Sequence, residues 1–271
     1  MRTENSADLN KTGEQIKRKY SLYEVGYIKL RNGMGVLALL FPIIFLISSW
    51  LLQRTDMQAS ISEYYITRET ERNLFVGILI CIGIFLWLYE GYSNLENRIL
   101  DIAGILVALV ALVPVSATSF TLGEIVVPVR WQVGKATFSV HGFCAVTFFI
   151  CIIVVATVFS RTTLKNRPDR KKWIRIYTII AVWMFIGIGL SALSSILHQS
   201  WLGQIFNGKG VFWVETFGVW GFALFWLVKT KEVNPTLEFR PLPLPRADLA
   251  TQDLIGKLPQ QAFVPSGKAL G

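Results

Sequence analysis

The run Met34–Gln53, MGVLALLFPIIFLISSWLLQ, decides the fold class. It carries no charged residue. At about 1.5 Å of rise per residue its length matches what a helix needs to cross a hydrocarbon core about 30 Å thick. Pro42 in its middle predicts a kink. Five more apolar runs follow. They are NLFVGILICIGIFLWLYEGY from Asn73, a run from about Ile99 to Ala117, SVHGFCAVTFFICIIVVATVFS from Ser139, a run from Ile174 to about Leu197, and VFWVETFGVWGFALFWLVK from Val211. Any one of them could be a buried helix of a soluble protein. Six joined by short links predict an all-α, polytopic membrane protein built as a six-transmembrane-helix bundle.

Composition agrees. The chain is 52% hydrophobic and only 17% charged, and nine Trp, eight Tyr and eighteen Phe suit a protein with two membrane–water interfaces. About 33 residues precede the first span, and that span is too long for a signal-peptide core, so no cleaved signal is expected. The expected division is a basic arm over 1–33, the helical domain over 34–230, and a Pro-rich disordered tail over 231–271. Tyr20, Tyr23, Tyr27 and Leu30 recur at helical spacing beside Lys17, Arg18, Lys19 and Lys29. That spacing fits an amphipathic helix on the inner leaflet, or a continuation of the first span into water.

The net charge of +9 is a topology signal. With six spans, the arm, the Arg98 link, the RTTLKNRPDRKKWIR loop and the tail fall on one side and hold 21 of the 27 Lys and Arg residues. Both termini are therefore expected in the cytoplasm. The loops SISEYYITRETER, FTLGEIVVPVRWQVGKATF and HQSWLGQIFNGKG then share the outer face. The outer loops hold no Asn-x-Ser/Thr acceptor, in keeping with a bacterial inner membrane. The charge attracts anionic lipid and matches no nucleic-acid motif. Membrane lipids are the expected partners, with a second copy of the chain as a further one and no nucleic acid.

Ionisable groups within spans are rare and usually functional. His141 opens span four, Glu215 opens span six, His198 ends span five, and Glu63 stands with Ser60, Ser62, Tyr64 and Tyr65 before span two. All would lie at the outer end, where they can share one polar pocket. Each also has a plain structural use. Glu215 suits a helix N-terminus, His198 a helix C-terminus, the tyrosines an aromatic belt, and Ser60, Ser62 or Thr67 an N-cap. At the inner end, Glu90, Arg98 and Asp101 read as a solvated or salt-bridged turn. Cys81, Cys144 and Cys151 lack metal-ligand spacing and read as small packing residues. There is no G-x-S-x-G, H-E-x-x-H or P-loop motif. Two histidines exclude a three-histidine zinc site, and a bis-histidine haem would rest on count alone. No metal site is expected, and the sequence names no cofactor.

Three pieces, SISE before span two, SVHGFCAVTFF opening span four and WVETFGVWGFALFW in span six, resemble the DRAM/Frag/Sfk-type six-helix membrane proteins over about residues 34–230. This chain departs from that pattern at Glu63, where the family has Asp, and at Tyr64 and Tyr65, where a glycine often follows. The resemblance implies lipid-related work: anchor remodelling, lipid organisation, or lysosomal and autophagic regulation. It points at Ser62, Glu63, His141 and Glu215. The expected function is lipid handling through an outward-facing polar pocket. If it is enzymatic, the chemistry is acyl transfer or hydrolysis, with His141 as general base and Glu63 or Glu215 as its orienting or acid partner. Ser62, Tyr64, Tyr65 and His198 then line the substrate. The alternatives are a non-catalytic scaffold or lipid organiser and, second, a small transporter.

Overall fold

The computed structural model describes residues 25–51, 56–115, 119–122, 125–133, 136–165, 168–197 and 207–232, and one compact unit spans Leu30–Glu232. It is mostly helical, with six long helices: α1 Val25–Leu51, α2 Glu69–Leu88, α3 Asn94–Leu112, α4 Val140–Thr163, α5 Arg170–Leu197 and α6 Gly210–Glu232. Five of them, all but α3, are long and apolar enough to cross a membrane. That is the make-up of a multi-pass integral membrane protein. The exception has a simple cause, since Glu96, Arg98 and Asp101 occupy the first turns of α3.

The helices pack in a closed ring. α2 lies against α3, α3 against α4, α4 against α5, and α5 against α6. α1 closes the ring. The Trp220 indole of α6 donates to the Leu39 carbonyl at 3.2 Å, and a Cβ on Gly33 would strike the Phe85 ring of α2. Between lipid-embedded helices there is little hydrophobic drive, so close approach at small residues supplies the attraction. Two crossings show it. A Cβ on Gly83 would sit 2.9 Å from the Gly104 carbonyl, and one on Gly187 would sit 2.9 Å from the Gly218 nitrogen. Large apolar side chains such as Ile84, Trp87, Ile105, Phe143, Phe185 and Phe217 point away from the ring and are exposed, as a bilayer-facing surface requires.

Several boundaries differ from the sequence expectation. Span one is part of a longer helix starting by Val25, so Tyr27 and Leu30 belong to it. Tyr20 and Tyr23 lie outside the described residues. The helix continues through Pro42 and ends in a π-helical turn at Ile47–Leu51. A second π-turn interrupts α4 at Val155–Phe159. The third run stops at Leu112 rather than near Ala117, because Val113 takes an extended backbone ahead of Pro114. The all-α expectation needs amending in the same place. Between α3 and α4 lie two antiparallel hairpins, β1 Ser119–Leu122 with β2 Ile125–Pro128, and β3 Arg130–Val133 with β4 Ala136–Ser139. The arm over 1–24 and the tail from 233 onward lie outside the described residues.

Candidate functional site

The segment between α1 and α2 folds as a tight plug over one end of the ring. Ser60-Ile61-Ser62-Glu63 closes on itself as a variant of the capping box: the Glu63 amide donates to Ser60 Oγ at 3.3 Å, and Glu63 Oε2 accepts from the amide of Ala59, one residue before the serine, at 3.0 Å. This starts a 3₁₀ turn over Ser62–Ile66. Glu63 is therefore spent on its own backbone. Tyr64 is fully buried, stacked on Phe45 at 4.4 Å between centroids, with its hydroxyl 2.6 Å from Ser49 Oγ. Tyr65 meets the Phe75 ring edge-on. Ser48 Oγ, in the π-turn of α1, donates to Glu71 Oε1 of α2 at 2.6 Å. The π-turn thus presents Ser49 to the plug and Ser48 to the first turn of α2.

α4 starts beside this plug. Ser139 Oγ caps it by accepting from the Gly142 amide at 3.0 Å, which fixes His141 in the first turn. His141 is 4% exposed, and both ring nitrogens are engaged. Nδ1 lies 2.8 Å from the Val113 carbonyl oxygen and Nε2 lies 3.1 Å from Ser62 Oγ. A carbonyl can only accept, so in the neutral ring Nδ1 carries the proton. Nε2 is left with its lone pair toward the Ser62 hydroxyl. That is the arrangement of a serine activated by a histidine base, with a backbone carbonyl in the place of the orienting carboxylate.

Glu215 approaches the same serine from α6. Its Oε2 accepts from the Ile61 amide at 2.7 Å, and Ser191 Oγ of α5 donates to Oε1 at 3.4 Å. The Phe212 amide donates to the Ala59 carbonyl at 2.7 Å. α6 thus holds the plug by one backbone–backbone bond and one bond from a plug amide to the Glu215 carboxylate, and Glu215 positions the turn that carries Ser62. Neither Glu215 nor Glu63 forms a described hydrogen bond with His141. The expected carboxylate partner is replaced by the Val113 carbonyl. His198 lies outside the described residues.

Beneath the plug is a cavity of about 100 Å³ that all six helices line. Ala38, Leu79, Val107, Phe148, Ile188 and Val219 each represent one of them. Ser62 and Glu215 are the polar residues in the lining, and both sit at the plug end. Ser62 therefore stands between the His141 imidazole on one side and an apolar cavity on the other. Among the described residues no group of three His, Cys, Asp or Glu side chains could hold a metal ion.

The opposite end of the ring holds a second polar assembly that sequence reasoning missed. Arg31, Glu96, Lys229 and Glu232 are each 2–3% exposed. Arg31 Nη2 donates to the Tyr89 hydroxyl at 2.7 Å. Lys229 Nζ pairs with Glu232 at 2.9 Å and donates to Thr163 Oγ1 at 3.3 Å, while the Tyr177 hydroxyl donates to Glu232. Glu96 Oε2 accepts from the Tyr92 amide at 2.9 Å. Of the residues expected in a solvated or salt-bridged turn, Glu90 and Arg98 are exposed and Asp101 is half-buried; Glu96, which that expectation did not name, is buried. One signal was present: Ser93-x-x-Glu96 reads as a capping box, and Ser93 Oγ does accept from the Glu96 amide at 3.1 Å.

In comparisons with protein-family models, curated proteins and solved structures, nothing matches this chain.

Proposed function

We propose that this is a lipid-handling integral membrane protein whose Ser62–His141 pair transfers or hydrolyses an acyl group at the extracytoplasmic side of a bacterial inner membrane. The observation that carries the reading is the seating of Ser62 Oγ, 3.1 Å from the acceptor nitrogen of His141 and in the lining of an apolar cavity. A lipid ester brings its carbonyl to Ser62. His141 Nε2 takes the hydroxyl proton as Oγ bonds to the carbonyl carbon. The ester C–O bond breaks, and the leaving alcohol takes that proton from His141. Water, or the hydroxyl of a second lipid, then attacks the acyl-serine. His141 accepts its proton and returns it to Ser62 as the acyl group departs. The resemblance to DRAM/Frag/Sfk-type proteins supports the choice of lipid as substrate.

The same reading takes α3 as a sixth span and places both termini in the cytoplasm. Its position between α2 and α4 and its share in the cavity wall support the sixth crossing. The bias of basic residues supports the orientation.

The test is turnover of a lipid ester by the full-length protein in proteoliposomes. General-base assistance is worth about 10²–10⁴-fold, so His141→Asn loses turnover by that factor, and Ser62→Ala loses it as fully, with folded protein retained. One observation favours a second reading, a non-catalytic lipid organiser: Glu63 and Glu215 are both spent on backbone amides. In that case both variants lower thermal stability while lipid composition stays unchanged.

A further inference from the structure

The hairpin β3–β4 has two faces of opposite character. Its register pairs Trp131 with Phe138 and Arg130 with Ser139. Successive side chains on a strand point to opposite faces, and directly paired residues share one. Trp131, Val133 and Phe138 therefore stand together, while Arg130 and Gln132 stand on the other face. The Trp131 and Phe138 rings stack across the strands, with centroids 6.4 Å apart. β4 touches α4 and α5, yet the apolar face stays uncovered. Trp131 is 47%, Val133 62% and Phe138 37% exposed. A two-stranded hairpin is marginal in water unless such a face is packed.

The place of the hairpin in the fold says what packs on it. β4 ends at Ser139, which is also the N-cap of α4, so no linker separates hairpin from helix. The Val140 amide donates to the Val129 carbonyl at 2.9 Å and ties the first residue of α4 to the base of the hairpin. α4 is 24 residues long. At about 36 Å it outspans a hydrocarbon core about 30 Å thick, so its first turn lies at the core's edge. The hairpin base is held at the same level, among the lipid headgroups, where Trp is the preferred residue. Phe143, one turn into α4, is 67% exposed and continues the apolar surface into the bilayer. A second copy of the chain fits the face less well. Two strands of four residues present about 130 Å², against about 800 Å² per partner in a stable dimer.

We propose that β3–β4 is a lipid-docking element, which lays its Trp131–Val133–Phe138 face on the acyl chains of the leaflet at the plug end and turns Arg130 and Gln132 to the headgroups. The partner is a lipid surface rather than one lipid molecule. Arg130 adds attraction to anionic headgroups. The docking is independent of any chemistry at Ser62.

The test is photolabelling of the full-length wild-type protein in vesicles of phosphatidylethanolamine and phosphatidylglycerol. The vesicles carry a lipid with a diazirine near the top of one acyl chain, and adducts are read by peptide mapping. They are expected on Trp131, Val133 or Phe138 and not on Arg130 or Gln132, with Phe143 as the internal standard for a lipid-facing residue. A second readout uses single spin labels, as Arg130→Cys, Trp131→Cys, Gln132→Cys, Val133→Cys and Phe138→Cys, in a Cys81→Ala, Cys144→Ala, Cys151→Ala background. The ratio of collisions with oxygen to collisions with a water-soluble nickel chelate is expected to be severalfold higher at 131, 133 and 138 than at 130 and 132. The photolabelling needs no substitution, so it decides where the labelled variants do not fold. Adducts on Phe143 with none in the hairpin, or a nickel-dominated ratio at all five positions, put the hairpin in water and overturn the proposal. Exclusion of both colliders from 131, 133 and 138 means that protein covers the face, a second copy included, and overturns it equally.

Discussion

Ser62 Oγ and His141 Nε2 are 3.1 Å apart although 79 residues separate them in the chain. The contact joins the plug to the first turn of α4. It is a tie as well as a reactive pair, and the two roles separate by experiment. A hydrogen bond of this kind contributes about 1 kcal/mol to stability. Loss of the base costs about 10²–10⁴-fold in rate. Ser62→Ala is therefore expected to shift the thermal midpoint by only a few degrees while removing ester turnover. Unfolding curves in detergent and turnover in proteoliposomes, on one preparation, check both halves.

Glu215 acts through the plug rather than through His141. Glu215→Gln keeps an oxygen for the Ile61 amide and costs about 1 kcal/mol or less, whereas Glu215→Ala leaves that amide without its acceptor and costs about 1–3 kcal/mol. Activity should follow the same order, with the glutamine variant retaining most of it. Thermal unfolding and turnover of the two variants side by side provide the comparison.

How much of this was legible in the chain varies by feature. Helix positions were readable because about 20 apolar residues in a row have few other uses. Ser62, His141 and Glu215 were readable as polar exceptions at one end of such runs. The partner of His141 was not, because a backbone carbonyl such as that of Val113 carries no side-chain signature. Glu63 looked chemical, yet the Ser60-x-x-Glu63 spacing already announced a cap. The hairpins before α4 were not expected although Gly123 and Gly134 each open a two-residue gap between strand-like runs, a turn signal that is weak beside the long apolar runs flanking it. The charges at the end opposite the plug were missed because Arg31, Glu96, Lys229 and Glu232 each stand near a helix end, where solvation is the usual fate. Only the ring of helices brings them together.

That assembly opposite the plug makes its own prediction. Lys229 and Glu232 are a buried ion pair, and removal of one partner strands the other charge at a cost of about 3–5 kcal/mol. Lys229→Met and Glu232→Gln are each expected to destabilise strongly. The double variant should lose less than the sum of the two. A double-mutant cycle on thermal unfolding measures the difference, and strict additivity would show that the two groups do not act as a pair.

The α2–α3 crossing is predicted to tolerate no side chain at Gly83. A Cβ there would lie 2.9 Å from the Gly104 carbonyl, so Gly83→Ala must part the helices and costs about 1–3 kcal/mol. Gly77, with open space around it, serves as the control on the same helix. Gly77→Ala should be neutral or slightly stabilising by helix propensity.

The most direct test of the central claim is covalent capture of Ser62 by an alkyl fluorophosphonate in the full-length protein, read by peptide mapping. The account predicts one adduct, on Ser62, absent in Ser62→Ala and slowed at least a hundredfold in folded His141→Asn. Folded wild-type protein that takes no adduct on Ser62, or takes it equally fast without the imidazole, would contradict it.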